Sequence, residues 1–109
     1  MTQKLNLGQP LDLYVNQGAL YSKAFQVLED NVPVDLSDYA ITLYFRPYIN
    51  SGDISEVTID IENESSGEIN ISIEADVTSD MSLERYVYKL VDDNTNKIIS
   101  TGFILVDRF

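Results

Sequence analysis

The 109-residue chain contains no cysteine, no histidine and no tryptophan, and only 3 prolines. Without cysteine there is no disulfide, no thiolate metal site and no cysteine nucleophile. Without histidine there is no imidazole base near neutral pH, which removes most hydrolase triads and nearly all zinc sites. Positive charge is also scarce: 7 Lys+Arg stand against 18 Asp+Glu, a formal net charge of −11. The bases are scattered along the chain, and none falls between Pro47 and Glu84. Neither nucleic acid nor an anionic membrane is expected as a partner, because both need clustered Lys and Arg. No apolar run approaches the roughly 18–20 residues of a membrane span. The opening Met1–Asn6 lacks the apolar core of a signal peptide, so a protein made in a cytoplasm, and able to stay there, is expected.

The apolar fraction, 44%, is that of a globular protein despite the acidity. The length suits a single β-sandwich domain over 1–109, with 1–10 expected to be a flexible or partner-docking segment. Period-2 patterning dominates. Leu11, Leu13 and Val15 alternate with polar positions up to Gly18, and a second run over 20–28 places Tyr21, Phe25 and Val27 on one face. Ala40–Pro47 sets Ile41, Leu43 and Phe45 opposite Thr42, Tyr44 and Arg46, and Pro47 should end its pairing. After an Asn50–Asp53 loop, Val57, Ile59 and Ile61 form one strand that returns through Ser65-Ser66-Gly67 into Ile69, Ile71 and Ile73. A left-handed Gly67 in a three-residue loop pairs Glu64 with Glu68 and Ile61 with Ile71. A shift by two residues would oppose Glu62 to Glu68 and Glu56 to Glu74, which like-charge repulsion disfavours.

Asp76–Ser82 is the single expected helical turn, capped by Asp76 or Thr78. Arg85–Val91 is apolar on both faces, as in a central strand, and Lys97–Val106 is the last strand, with Gly102 as a candidate bulge. Seven strands and almost no helix predict an all-β, antiparallel, immunoglobulin-like β-sandwich, with a small Greek-key barrel as the alternative. Tyr86, opening the penultimate strand, occupies the place of a tyrosine corner.

Three sets of residues are candidates for function. Asp92-x-Asn94-x-Asn96 imitates the opening of a calcium loop, but Lys97 and Phe103 stand where that loop needs Gly and Glu. A polar hairpin turn is the preferred reading, and no metal or cofactor is assigned. Ten of the acidic residues lie between Asp53 and Glu84, and Glu56, Asp60, Glu62, Glu64, Glu68 and Glu74 are expected on one outward hairpin face. That face serves solubility and edge protection, or docking to a basic partner. Its carboxylates share one solvent-facing environment, so they supply no acid/base pair and no catalytic residue is assigned. Tyr44, Arg46 and Tyr48 share one side of the third strand if it stays extended past Pro47, and Tyr14 lies on the polar side of the first. Ordinary half-buried sandwich tyrosines, a protein contact and sugar stacking are the readings of this set.

The stretch Asn31-Val32-Pro33-Val34-Asp35-Leu36-Ser37-Asp38-Tyr39 resembles the P-x-D-L-T-G-Y turn of a family of tailed-bacteriophage virion proteins. That family includes the N-terminal domain of baseplate upper proteins and related tail-fibre modules. Gly18-Ala19-Leu20-Tyr21, Arg46, Gly67–Ile71, Arg85–Leu90 and Thr101–Val106 are similar to its further marks, in order, over nearly the whole chain. Arg85 stands where the family has Gly, and Lys89 where it has Asp. The resemblance implies a non-enzymatic virion structural protein of tail, baseplate, neck or capsid surface, docking onto other virion proteins. A homo-oligomeric ring is an expected form. Baseplate proteins continue into a helical linker and receptor-side module, whereas this sequence ends at Phe109, so an accessory piece is expected. The alternative is a carbohydrate-binding or host-adhesion module using surface tyrosines. A DNA-mimicking inhibitor is the weakest class, for want of an acidic helix.

Overall fold

The computed structural model describes residues 2–48 and 54–108, so the expected Asn50–Asp53 loop falls outside the described residues. Within them the chain forms β1 (Gln3–Asn6), β2 (Leu13–Asn16), β3 (Tyr21–Glu29), β4 (Val32–Pro33), β5 (Ile41–Pro47), β6 (Ser55–Thr58), β7 (Asp60–Asn63), β8 (Glu68–Ile73), α1 (Ala75–Ser79), β9 (Arg85–Asp92) and β10 (Lys97–Asp107). The first sheet has the order β1-β3-β8-β7, with β4 beside β3, and the second the order β2-β10-β9-β5-β6. Alternation explains the layers. Phe25, Val27, Ile69, Ile71 and Ile73 of the first sheet and Leu13, Val15, Leu43, Phe45, Leu90 and Ile104 of the second are buried in one core.

The sandwich and the short helix match expectation, and several details differ. First, ten strands are present among the described residues, and two edge pairings are parallel: β1 with β3, and β2 with β10. Gln3–Asn6 is thus paired sheet, with Leu5 buried, where a flexible or docking segment was expected. The short Leu5/Leu7 alternation was too brief to mark a strand. Second, Ser55–Asn63 is divided between the sheets. β6 pairs with β5, β7 pairs with β8, and Ile59 sits buried at the crossing, its N–H donated to Ile41 O at 3.1 Å. Strands that switch sheets make the corners of such sandwiches.

Third, the β7–β8 hairpin takes the register shifted by two, with Asp60 opposite Asn70 and Ile61 opposite Ile69. A bulge then removes Glu62 from pairing and sets Asn63 against Glu68. The repulsion that disfavoured this register is relieved by that one extra residue. Glu56 and Glu74 never meet, because β6 is in the other sheet. Gly67 is left-handed as expected (φ +72°). A Cβ there would also meet Val27 O at 2.6 Å.

Fourth, Gly102 is not at a bulge; the irregularity lies between Ile98 and Ser100. Gly102 is needed because the Leu11 carbonyl crosses so close that a Cβ would lie 2.0 Å from its oxygen. The helix is capped at Glu74 with no side-chain bond, so neither Asp76 nor Thr78 serves as cap. The buried Thr78 instead donates to Ala19 O at 2.8 Å, tying the helix to the turn before β3.

The family-like turn before β5 is built around Leu36, a fully buried plug whose N–H is donated to Glu64 O at 2.8 Å. Asp35 accepts the Ser37 N–H at 3.0 Å, and this bond, with one from the Ser37 side chain, holds its carboxyl below the usual range. Tyr86 is buried, and its hydroxyl accepts the Ser82 N–H at 2.8 Å, the geometry of a tyrosine corner.

Candidate functional site

The outward face of the second sheet gathers most of the candidate side chains, and its rows follow from strand register. One row runs Tyr14, Leu105, Arg85, with Tyr48 donating its N–H to Arg85 O at 3.0 Å. The next runs Phe103, Val87, Arg46, and the third Thr101, Lys89, Tyr44, Glu56. Alternation places all of these opposite the core-facing Phe45, Tyr86, Tyr88, Leu90 and Ile104.

Aromatic rings and cations interleave on this surface. Tyr48 and Phe103 meet edge to face at 5.5 Å, and the Arg85 guanidinium lies 4.9 Å from the Phe103 centroid and 5.6 Å from that of Tyr48. Lys89 Nζ lies 5.5 Å from the Tyr44 centroid. Contacts of this kind contribute about 0.5–1 kcal/mol each at exposed sites. Tyr14 (71% exposed), Ile54 (60%) and Tyr48 (53%) project apolar surface into solvent. Between Tyr44, Arg46, Ile54, Val87 and Lys89 lies a shallow cleft of about 300 Å³.

Acidic groups frame the upper corner. The Tyr44 hydroxyl donates to Asp93 Oδ1 at 2.7 Å, and Thr42 donates to Asp93 Oδ2. The bond to Asp93 is the main cause that raises the Tyr44 hydroxyl above its usual range. Asp92, 2% exposed, accepts the N–H groups of Ala40 (3.0 Å) and Asn94 (3.1 Å) and the Thr95 hydroxyl (2.8 Å). Burial pushes its carboxyl up, but these three bonds and Lys97 outweigh it, and the group is held below the usual carboxylate range. Asn94 reaches Asp38 O at 2.7 Å, and Asn96 is left-handed. The Asp92–Asn96 segment is therefore a clasp between the β9–β10 turn and the start of β5, with its carboxylate engaged by the chain itself.

Of the residues singled out from sequence, Tyr14, Tyr44, Arg46, Tyr48 and Glu56 come together on this face. Asp60, Glu62 and Glu74 do not: Asp60 and Glu62 lie on β7 at the edge of the first sheet, and Glu74 follows β8. The single acidic hairpin face is thus split between two sheets. Sequence reasoning missed Arg85, Lys89 and Phe103. Their signal was the period-2 pattern of 85–91, which puts Arg85, Val87 and Lys89 together, but their partners depend on strand order.

No family model matches the chain, and no curated protein matches it in sequence. Among solved structures, it superposes on the N-terminal domain of phage TP901-1 ORF48 with a TM-score of 0.60 and 12% identity, covering 99% of this chain and 100% of that one. The chain has the fold of that phage domain. The match leaves almost no residue of either chain outside it, so both share one architecture from end to end. The natural cytotoxicity receptor NKp44 of NK cells gives a TM-score of 0.42 at 8% identity over 90% of this chain and 98% of that one, too distant to bear on fold or function.

Proposed function

We propose that the chain is a structural component of a phage virion, held in place by protein–protein contacts and performing no catalysis. The end-to-end fold likeness to a phage domain carries this reading. The order of motifs similar to tailed-phage virion proteins supports it, and points to a tail or baseplate location. A face of tyrosines, arginines and exposed aliphatics is the composition of a protein contact rather than of a reaction centre.

A carbohydrate-binding module would draw on the same tyrosines. The cations beside Tyr44 and Tyr48 weigh against it, since a sugar stacking there competes with Lys89 and Arg85. Mass spectrometry of density-purified particles, from a host carrying the gene and induced to lyse, should find the chain at a fixed stoichiometry with the other virion proteins. Abundance in the lysate with absence from particles would overturn the reading. So would saturable glycan binding that is lost in Tyr44→Ala.

A further inference from the structure

The two broad faces of the sandwich differ in chemistry. The outward face of the second sheet carries Arg46, Arg85 and Lys89, 3 of the chain's 7 basic residues, set among Tyr14, Tyr48, Phe103 and Ile54, with Glu56 at the end of the Lys89 row. The outward face of the first sheet carries Ser22, Ala24, Asn70 and Ser72 along β3 and β8, with Lys4, Gln26 and Glu68 forming one row across β1, β3 and β8. Its β7 rim holds Asp60 and Glu62, both exposed, and Glu68 and Glu74 lie on or beside β8.

We infer that the partner of the aromatic–basic face is a second copy of this chain, docking by its acidic first-sheet face, so that copies associate head to tail. Charge complementarity selects this arrangement. A two-fold packing centred on Arg46, Arg85 and Lys89 would crowd like charges about its axis, whereas packing them on the β7 rim sets them against Asp60 and Glu62. Size allows it: the molecule measures 36 × 28 × 20 Å, so a broad face offers on the order of 800–1,000 Å², the standard contribution of one partner. The exposed tyrosines supply large side chains with few rotors, and the short polar side chains opposite leave room for them. The mutual repulsion of two −11 chains acts at long range and is screened beyond roughly 8 Å at physiological salt, while facing pairs act at contact. A heterologous contact closes into a ring or runs on as a filament.

The inference rests on reading the second-sheet face as a contact surface, and it fails separately from the virion assignment, which particle proteomics decides. Sedimentation velocity on the full chain, from about 10 µM to about 1 mM, should show concentration-dependent association beyond a dimer. The double variant Arg85→Glu/Lys89→Glu and the double variant Asp60→Lys/Glu62→Lys should each weaken it at least about tenfold. Mixed one to one, the two should associate again, because each supplies the face the other needs. The first variant lies four charges below −11 and the second four above, so both remain acidic and net attraction cannot mimic this rescue. A wild-type monomer across the range, an unaffected Asp60→Lys/Glu62→Lys variant, or a mixture that stays monomeric would each overturn the head-to-tail contact. Circular dichroism of each variant confirms that the fold persists.

Discussion

Gly102→Ala is the most severe single-methyl change that the structure identifies. The added Cβ would lie 2.0 Å from Leu11 O, 2.8 Å from Leu11 C and 3.1 Å from Tyr88 Cε2. Backbone cannot yield as a flexible side-chain end does, so the 9–12 crossover must move outward by at least about 1 Å to restore an ordinary contact. Four hydrogen bonds hold that crossover: Leu11 N–H to Thr101 O (3.0 Å), Tyr88 hydroxyl to Leu11 O, Ser100 hydroxyl to Gln9 O (2.8 Å) and Phe103 N–H to Asp12 Oδ1 (3.1 Å). Overpacking contributes about 1–3 kcal/mol of destabilisation. Loss of two of the four bonds adds about 1 kcal/mol each. The expected destabilisation is about 3–5 kcal/mol, a large part of the roughly 5–15 kcal/mol that holds a domain folded.

Urea unfolding followed by far-ultraviolet circular dichroism and tyrosine fluorescence measures it, since the chain has no tryptophan. Gly8→Ala is the internal control. It has the same chemistry at a left-handed position (φ +81°) with nothing within 4 Å, and should lose only about 1 kcal/mol. Equal losses in the two variants, or a loss below about 1 kcal/mol in Gly102→Ala, would refute the steric argument. The same displacement moves the start of β2 and with it Tyr14, so a surviving fraction of Gly102→Ala should also associate more weakly.

Two further outcomes follow from buried ionisable groups. Tyr21 and Tyr88 are pushed up to about 12, both chiefly by burial, with the neighbouring Tyr88 adding to the rise at Tyr21. In the unfolded chain both ionise near 10, so that state loses protons first, and stability is complete below about pH 10 and falls between 10 and 12. After allowance for their residual exposure each contributes about 1–2 kcal/mol. Phenolate absorbance should show these two tyrosines ionising only as circular dichroism is lost, and their ionisation near pH 10 in folded protein would contradict this. For Asp92, whose carboxyl is depressed by its hydrogen bonds, stabilisation is complete above the ordinary carboxylate range and is lost as pH falls through the lowered value. Asp92→Ala should lose about 2–3 kcal/mol near neutral pH and less near pH 3, and an equal deficit at both would exclude the carboxylate clasp.

Sequence periodicity located most of the sheet. The alternations at 21–28, 41–47 and 85–91 fix which side chains face inward, and β3, β5 and β9 lie within a residue or so of the expected limits. What periodicity does not encode is which sheet a strand joins. Val57, Ile59 and Ile61 alternate without interruption, yet Ile59 is the point where the chain leaves one sheet for the other. A buried corner and a buried strand position place the same demand on a side chain. The β7–β8 register shows a second limit. Opposed glutamates were a sound reason to reject the shifted pairing, and the bulge at Glu62 removes that reason with one unpaired residue, a device that pairwise rules do not anticipate.

Charge has the same lesson at the scale of the molecule. A net −11 with dispersed bases suggests a uniformly acidic surface, but dispersion along the chain is not dispersion in space. β5 and β9 pair in the register that brings Arg46 opposite Val87 and Lys89 opposite Tyr44, with Arg85 one row away. Three bases thus meet on a face that the average conceals. That gathering does not restore a nucleic-acid reading, because a polyanion track needs a longer run of cations, and Glu56 and Asp93 flank this one. Three cations interleaved with exposed tyrosines and bordered by carboxylates match instead the footprint of a folded partner that carries a few acidic groups at one edge. The opposite face of the same chain carries Asp60 and Glu62 at such an edge, which is why segregation of charge, and not its sum, bears on assembly.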